Sequence, residues 1–322
     1  MDIKFFIGPM SKNVVDSIIN FQNKYSKKIA LIPSRRQIDF KGGYSNNWTT
    51  ESLSKYAKKI VIMRDHGGPG QGSKEDNGYE SLEYDCNYFD FIHIDPWKKF
   101  PSFNEGSKWT LEMIEFCLSK NPKIKFEIGT EEAIRRFEPE ELELLIDYLK
   151  SNLSKEAFLQ IKYLVIQSGT SLSSNQNTGN FDLKRLKKMI NVAKRNKLRS
   201  KEHNGDYISE DLIKLKMSYG LDAINIAPEF GLIETQTYLD HIKCEKNLFQ
   251  RYWELCYQSK KWVKWVKNDF NPFEEKENLI KVCGHYILSN QDFVNDIKNE
   301  FPDIDLLIQK NIEKKLVSLH SV

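Results

Sequence analysis

The chain has 322 residues, with 48 Lys and Arg against 45 Asp and Glu, a formal net charge of +3 and a hydrophobic fraction of 40%. This composition is that of a globular protein with one large domain or two small ones, and the small net charge argues against a nucleic-acid-binding tract. No apolar run approaches the ~20 residues needed to span a bilayer, which argues against a membrane protein, and the N-terminus lacks the pattern of a signal peptide.

The five cysteines are scattered through the chain without a CxxC pair. Such spacing offers no disulfide framework and no zinc motif. We therefore expect reduced thiols in a cytoplasmic protein.

Short apolar runs alternate with segments of helical period along the first three quarters of the chain. The eight runs cover residues 4–8, 29–34, 60–65, 89–95, 124–130, 162–169, 198–206 and 222–231. Strands that alternate with helices predict a parallel sheet, and eight such units in about 240 residues fit a closed (β/α)8 TIM barrel. A doubly wound open sheet is the alternative, disfavoured because no GxGxxG follows the first strand.

Local signals mark several helix ends within this pattern. Helices are expected to start near the "TTES" stretch, at Pro139 and after Ser209, and one is expected to end at Gly220.

The pattern changes at about residue 241, where an aromatic-rich helical region begins. We therefore divide the chain into a barrel over 1–240 and a helical extension over 241–322 packed on the barrel. The aromatic stripe of the extension is expected to lie in the core or at a subunit interface. Its members are Trp253, Tyr257, Trp262 and Trp265.

In such a barrel the functional site lies at the C-terminal ends of the strands, and polar residues follow each predicted strand there. We predict that His66, Glu127 and His203 surround one divalent metal. Imidazole and carboxylate ligands suit Zn²⁺, with Mn²⁺ or Fe²⁺ as alternatives. Glu127 is also a candidate catalytic carboxylate.

Asp65 directly precedes His66, so on a regular strand the two side chains would point to opposite faces. A bend at Gly67 and Gly68 would let Asp65 also face the site and act as a general acid or base. A capping role for Asp65 is the structural alternative.

Other polar residues at the strand ends are candidates for binding substrate. Arg35 and Arg36 suit a phosphate or carboxylate, with one of the two facing the mouth. The remaining candidates are His93, Asp95, Gln167, Asn204, Gly205 and Asn225, and His285 of the extension is a further, weaker one.

Five motifs at the ends of strands 3 to 7 resemble those of the accessory, "non-catalytic" subunit family of tagatose-bisphosphate aldolase, which is related to class II ketose-bisphosphate aldolases. They are "RDHGGP", "FIHID", "FEIGTEE", "LVIQSGT" and "KEHNGDY", in the family's order, over roughly residues 30–240.

The resemblance implies a metal-dependent barrel acting on ketose phosphates or related sugars. It assigns Asp65 as the acid/base residue, His66 and His203 as metal ligands, and a carboxylate near Glu127. The chain departs from the catalytic aldolases at Gln167, where they carry a metal-binding histidine. Gln167 would then ligate weakly, or Glu127 would replace that histidine.

These observations favour an enzyme that performs aldol or retro-aldol cleavage, or epimerisation, of a ketose, sugar phosphate or activated sugar through a metal-stabilised enediolate. The alternative is a non-catalytic subunit that stabilises a partner aldolase. A third reading is a sugar-binding barrel without metal. We also expect pairing of chains into a homo-oligomer.

Overall fold

The computed structural model describes residues 3–321 as a barrel of eight parallel strands wrapped by helices. The barrel strands, in chain order, are β1 Phe5–Ile7, β2 Ala30–Leu31, β3 Val61–Gly67, β4 Phe91–Ile94, β5 Lys125–Ile128, β6 Ile161–Ile166, β9 Arg199–Glu202 and β10 Ala223–Ile226. A small antiparallel hairpin, β7 Leu172–Ser173 and β8 Gln176–Asn177, lies between β6 and β9. Each barrel strand pairs with its neighbours in the chain, and β1 pairs with β10 to close the ring. The predicted fold is confirmed.

Helices follow the strands as the alternation predicts. They are α1 Lys12–Tyr25, α2 Thr50–Tyr56, α3 Tyr79–Tyr88, α4 Phe103–Lys120, α5 Pro139–Asn152, α6 Lys155–Phe158, α7 Leu183–Arg195, α8 Glu210–Ser218 and α9 Pro228–Ile242. Thr49 and Ser209 cap α2 and α8, and Pro139 opens α5. Gly220 follows the end of α8 with φ +100°, a left-handed conformation that glycine adopts without strain.

The region after α9 contains four further helices and two 3-10 turns. They are α10 Lys246–Ser259, the turn Val263–Trp265, α11 Lys276–Cys283, the turn Gly284–Tyr286, α12 Gln291–Glu300 and α13 Ile304–His320. The last helix lies against the barrel, with the His320 ring 5.2 Å from that of Phe5 in β1. The extension therefore shares one apolar core with the barrel helices.

A separate cluster of buried side chains fills the barrel itself. It contains Phe6, Met63, Phe91 and Tyr163, from four different strands. Alternate residues of a strand point to opposite faces, so these side chains face inward while their neighbours pack under the helices.

All five cysteines are unpaired thiols. Among residues 3–321, no helix is both long and apolar enough to cross a membrane.

Candidate active site

A cavity of about 230 Å³ opens at the C-terminal mouth of the barrel. It is smaller than the ~300–1,000 Å³ of sites for drug-sized ligands, which favours a small metabolite. Its polar lining includes Arg36, Asp65, His66, Glu131, His203, Asn204, Asp206, Asn225, Lys264 and His285.

A bulge in β3 turns both Asp65 and His66 toward this cavity. The pairing with β4 shifts between Arg64 and Gly67, so the two intervening residues leave the regular alternation. The bend includes His66 itself, with φ +48°, as well as Gly68, with φ +146°, one of the two glycines at which the sequence predicts it. A left-handed non-glycine residue costs on the order of 1–3 kcal/mol, so the surrounding structure must hold it in place.

Arg64 anchors the strand directly before the bulge. Its side chain is fully buried and donates two hydrogen bonds to the carboxylate of Asp85, at 2.8 and 2.6 Å. The remaining donors reach the carbonyls of Pro33 and Ile38 and the hydroxyl of Thr50. This network fixes the end of β3 against α2 and α3.

The His66 ring is oriented by a buried carboxylate. Its Nδ1 lies 2.6 Å from Oδ2 of Asp95, and the hydroxyl of Thr130 donates to the same oxygen at 3.0 Å. Because the carboxylate accepts, Nδ1 is the donor to Asp95 and Nε2 is the ring nitrogen directed toward the cavity.

His203 repeats this arrangement with a different carboxylate. Its Nε2 lies 3.0 Å from Oε1 of Glu127, whose Oε2 accepts from the ammonium of Lys201 at 2.7 Å. Nδ1 of His203 is therefore the nitrogen left free. Imidazole ligands of metal ions are typically held by carboxylates in this way.

His93 completes the cluster between them. Its Nε2 donates to the carbonyl of Gly129 at 2.9 Å, and its Nδ1 accepts from the backbone amide of His66 at 3.2 Å. Its ring therefore positions His66 from beneath the cavity, with both ring nitrogens engaged.

The residues of this cluster fit a divalent cation. One ligand atom each from Asp65, His66, His93 and His203 lies within 4.8 Å of all the others. Oδ1 of Asp65 is buried without a hydrogen-bond partner, 3.7 Å from His66 Nε2 and 3.6 Å from His203 Nδ1. An unpartnered buried carboxylate oxygen among imidazole nitrogens is what a Zn²⁺, Mn²⁺ or Fe²⁺ ion would satisfy.

The electrostatics of the cluster also favour a cation. Burial lowers the pKa of His66, but the charge of Asp65 and the hydrogen bond to Asp95 outweigh it and raise this pKa to about 10. Without an ion the ring therefore carries a positive charge, and a bound cation would replace its Nε2 proton. Burial raises the pKa of Asp65, but the imidazoles, His66 first, lower it overall, so the carboxylate is ionised at neutral pH. The pKa of His203 is lowered because burial outweighs the charge of Glu127, which keeps the ring neutral as a ligand must be.

Asp206 has the opposite protonation state. Its Oδ1 accepts from the amides of Ala227 and Glu229, both at 2.8 Å. Burial, with help from the charge of Glu229, raises the pKa of Asp206 to about 8 despite those amides. The cavity is thus lined by an ionised aspartate, Asp65, and a protonated one, Asp206. Such a pair is typical of acid–base catalysis, in which one group accepts a proton and the other donates one.

The structure places the predicted residues in different roles. It brings Asp65, His66, His93 and His203 together, while Asp95 and Glu127 lie behind the imidazoles. Both oxygens of Glu127 are taken by His203 and Lys201, so the carboxylate is not among the clustered ligand atoms.

Gln167 lies away from the cavity and is used by the fold. Its amide donates to the carbonyls of Thr130 and Arg135, and its Oε1 accepts from the amide of Phe137. With its hydrogen-bonding capacity filled, it has no free atom for a metal or a substrate.

The two arginines separate as predicted, with one at the mouth and one structural. Arg36 lines the cavity, whereas Arg35 is buried in a network with Asp39 and Asp76. The two asparagines, Asn204 and Asn225, both line the cavity. Oδ1 of Asn225 is buried without a partner, so it can accept a hydrogen bond from a ligand hydroxyl.

Gly205 lets its own backbone pass close to the neighbouring strand β10. A Cβ there would lie 2.0 Å from a methyl of Ile224 and 2.9 Å from the carbonyl of Asn225. Its amide already donates to that carbonyl, so it is not offered to a substrate.

Sequence reasoning missed several cavity residues. Glu131, whose Oε2 lies 3.7 Å from His66 Nε2 and accepts from Asn204 at 2.9 Å, comes four residues after Glu127 in the same "EIGTEE" motif. Its position beyond the end of β5, where barrel sites lie, was the available signal. Lys264, Trp265 and Tyr286 come from the extension, and only the tertiary structure brings them here.

Solved structures show that this architecture recurs. The probable tagatose 6-phosphate kinase of Sinorhizobium meliloti 1021 aligns with a TM-score of 0.77 at 13% identity, covering 99% of both chains. The fructuronate-tagaturonate epimerase UxaE from Cohnella laeviribosi aligns with a TM-score of 0.63 at 11% identity, covering 99% of this chain and 81% of that one. The YdjI aldolase from Escherichia coli K12 aligns with a TM-score of 0.53 at 12% identity, covering 91% of each chain. At these identities the likeness establishes the fold.

No protein-family model matches the sequence, and no curated protein matches it. The fold and the cluster define a (β/α)8-barrel protein, with structural neighbours among sugar aldolases and epimerases, that carries a candidate metal centre at its mouth. Membership of the accessory-subunit family stays a prediction.

Proposed function

We propose that this chain is a metal-dependent enzyme of carbohydrate metabolism that cleaves, forms or epimerises a ketose or sugar phosphate beside its carbonyl group. The observation that carries the proposal is the pair of imidazoles, His66 and His203, each held by a buried carboxylate and each presenting a free nitrogen beside the unpartnered oxygen of Asp65. A buried carboxylate oxygen without a partner is unfavourable, and a bound cation would satisfy it.

His66 Nε2, His203 Nδ1 and Asp65 would hold the ion, with His93 and Glu131 beside them. When bound, a divalent ion supplies Lewis-acid polarisation of a sugar carbonyl and its neighbouring hydroxyl.

The residues of the chain account for the proton transfers. Asp65 is ionised and can accept a proton from a hydroxyl or from carbon at the carboxylate oxygen that the ion would leave free, and Asp206 is protonated at neutral pH and can donate one. Asn225 can accept a hydrogen bond from a sugar hydroxyl at its free Oδ1.

Aldol cleavage and epimerisation share this equipment, and the structural neighbours include proteins named for each. The names of two neighbours, a tagatose 6-phosphate kinase and a fructuronate-tagaturonate epimerase, refer to ketoses with an acidic end, which supports ketose phosphates and ketose uronates as the first substrates to test.

The test is turnover by the purified chain alone on a panel of such ketoses. Cleavage is followed by release of the smaller carbonyl product, and epimerisation by deuterium incorporation from D₂O and by NMR of the product. Asp206→Asn, which keeps the Oδ1 acceptor, is expected to lower kcat at least 10-fold with metal still bound. Asp65→Asn removes the charge of a proposed ligand and is expected to lower kcat at least 100-fold and to weaken metal binding as well.

His241→Ala is the control, because His241 lies on α9, where its ring bonds the carbonyl of Thr237 and packs against Phe301, and it does not line the cavity. A chain that binds metal but turns over no substrate until a catalytic aldolase subunit is added would contradict the enzyme and support the stabilising-subunit alternative.

A further inference from the structure

Two cations from distant parts of the chain line the rim of the cavity. Arg36 lies in the loop after β2, and Lys264 lies in the 3-10 turn of the extension. The floor of the same cavity carries the carboxylates Asp65 and Glu131. The cavity is therefore acidic at the floor and basic at the rim.

The rim cations have no internal counter-ion, in contrast to their neighbour. Arg35 bonds Asp39, Asp76 and the carbonyl of Gly68. Within the described part of the chain, neither Arg36 nor Lys264 has a carboxylate within ion-pair distance. Five guanidinium donors and an ammonium group thus remain available to a ligand.

Holding these two charges in one small cavity is unfavourable without an anion. Burial and then the charge of Arg36 lower the pKa of Lys264 to about 8. An anion between the two groups would remove this repulsion and stabilise the charged ammonium.

Lys264 is also held in place by aromatic rings. Its Nζ lies 4.3 Å from the centre of the Trp265 ring, and Nε1 of Trp265 donates to the hydroxyl of Tyr286 at 3.3 Å. The hydroxyl of Ser174, at the tip of the β7–β8 hairpin, donates to the carbonyl of Trp265 at 2.6 Å. The turn that carries the lysine is therefore fixed to the barrel, which reduces the entropy lost on binding.

We infer that Arg36 and Lys264 form an anion subsite that binds the terminal phosphate or carboxylate of the substrate, so that the extension supplies a residue that determines specificity. The inference rests on the proposed function for the identity of the ligand. The neutral part of such a substrate would extend from the rim toward Asp65 and His66.

The test measures binding of inorganic phosphate to the purified protein by isothermal titration calorimetry. A second titration with acetate measures binding of a carboxylate. Lys264→Met and Arg36→Met are each expected to weaken phosphate binding roughly ten-fold or more, because each removes a charge-assisted contact. The tighter of the two anions identifies the acidic group of the substrate.

Lys267→Met is the matched control, because Lys267 is exposed in the same segment but does not line this cavity. It removes the same charge and is expected to leave the Kd within about two-fold. Thermal unfolding verifies that all three variants are folded.

Two results would overturn the inference. In one, wild type binds neither anion, or Lys264→Met and Arg36→Met bind phosphate as the control does. In the other, binding is lost in His203→Ala but kept in Lys264→Met, which would place phosphate on the metal, leaving the proposed function intact and this subsite wrong. Phosphate binding that depends on Lys264 in a protein without metal would instead uphold the subsite and count against the proposed function.

Discussion

Among the residues that hold the imidazoles in place, we expect substitution of the buried ion pair Lys201–Glu127 to destabilise the fold most. Both side chains are fully buried, with Nζ 2.7 Å from Oε2. Lys201→Met removes the cation and leaves the Glu127 carboxylate in the barrel with only His203 as a partner. At an effective dielectric constant of about 20, the gross attraction lost is about 6 kcal/mol.

The net effect is smaller, because the buried ammonium also carries a desolvation cost. That cost is visible in the pKa of Lys201, which burial lowers even though Glu127 opposes the shift. Removing one partner of a buried ion pair typically lowers the free energy of unfolding by about 3–5 kcal/mol. Because Glu127 keeps its contact with His203, we expect a loss of about 3 kcal/mol for Lys201→Met.

The assay is urea unfolding of wild type, Lys201→Met, Glu127→Gln and the double variant. The double variant leaves no unpaired charge, so its loss of stability is expected to be smaller than the sum of the two single losses. The exposed pair Lys55–Glu51 is the control, and Lys55→Met is expected to leave the free energy of unfolding nearly unchanged. The reasoning is refuted if Lys201→Met costs no more than Lys55→Met, or if the two single losses simply add.

Three further predictions concern stability. Burial raises the pKa of Glu234 to about 7, so the native state binds more protons than the unfolded state between about pH 4.5 and 7, and stability falls as pH rises through that window. Glu234→Gln should remove up to roughly 3 kcal/mol of this pH-dependent loss in urea unfolding, and an unchanged slope would contradict the assignment. Gly106→Ala would place a methyl 2.2 Å from the Trp97 ring and should destabilise the fold by about 1–3 kcal/mol in thermal unfolding, whereas a higher Tm would show that the ring can move. Gln167→Leu should cost about 1–3 kcal/mol by leaving the Phe137 amide unpaired, yet keep the metal content of wild type, and loss of metal would return Gln167 to the ligand set.

Much of the fold was predictable from sequence because most barrel strands are short, largely buried apolar runs, although β9 consists of polar and charged residues. The mouth of the barrel was predictable because Asp65, His66 and His203 lie at or just beyond the ends of strands. The β7–β8 hairpin was missed because three of its four strand residues are polar and each strand has only two residues.

The finer geometry depends on contacts that no local pattern encodes. The bend at His66 depends on the Arg64 network beneath it and on the hydrogen bond from the His66 backbone amide to Nδ1 of His93. Glu131 lines the cavity and Glu127 does not. Glu127 is bound by the ammonium group of Lys201, which lies 74 residues away in sequence. Lys264 lies at the mouth because of how the extension packs on the barrel, and no local sequence pattern predicts that packing.

The central claim is that a divalent ion is held between His66, His203 and Asp65. The direct measurement is the metal content of the purified chain by inductively coupled plasma mass spectrometry, compared with His66→Ala, His203→Ala and the control His241→Ala. We expect close to one equivalent of Zn²⁺, Mn²⁺ or Fe²⁺ in wild type and in the control, and less than about one tenth of that in the two site variants. Full occupancy in both His66→Ala and His203→Ala would contradict the account.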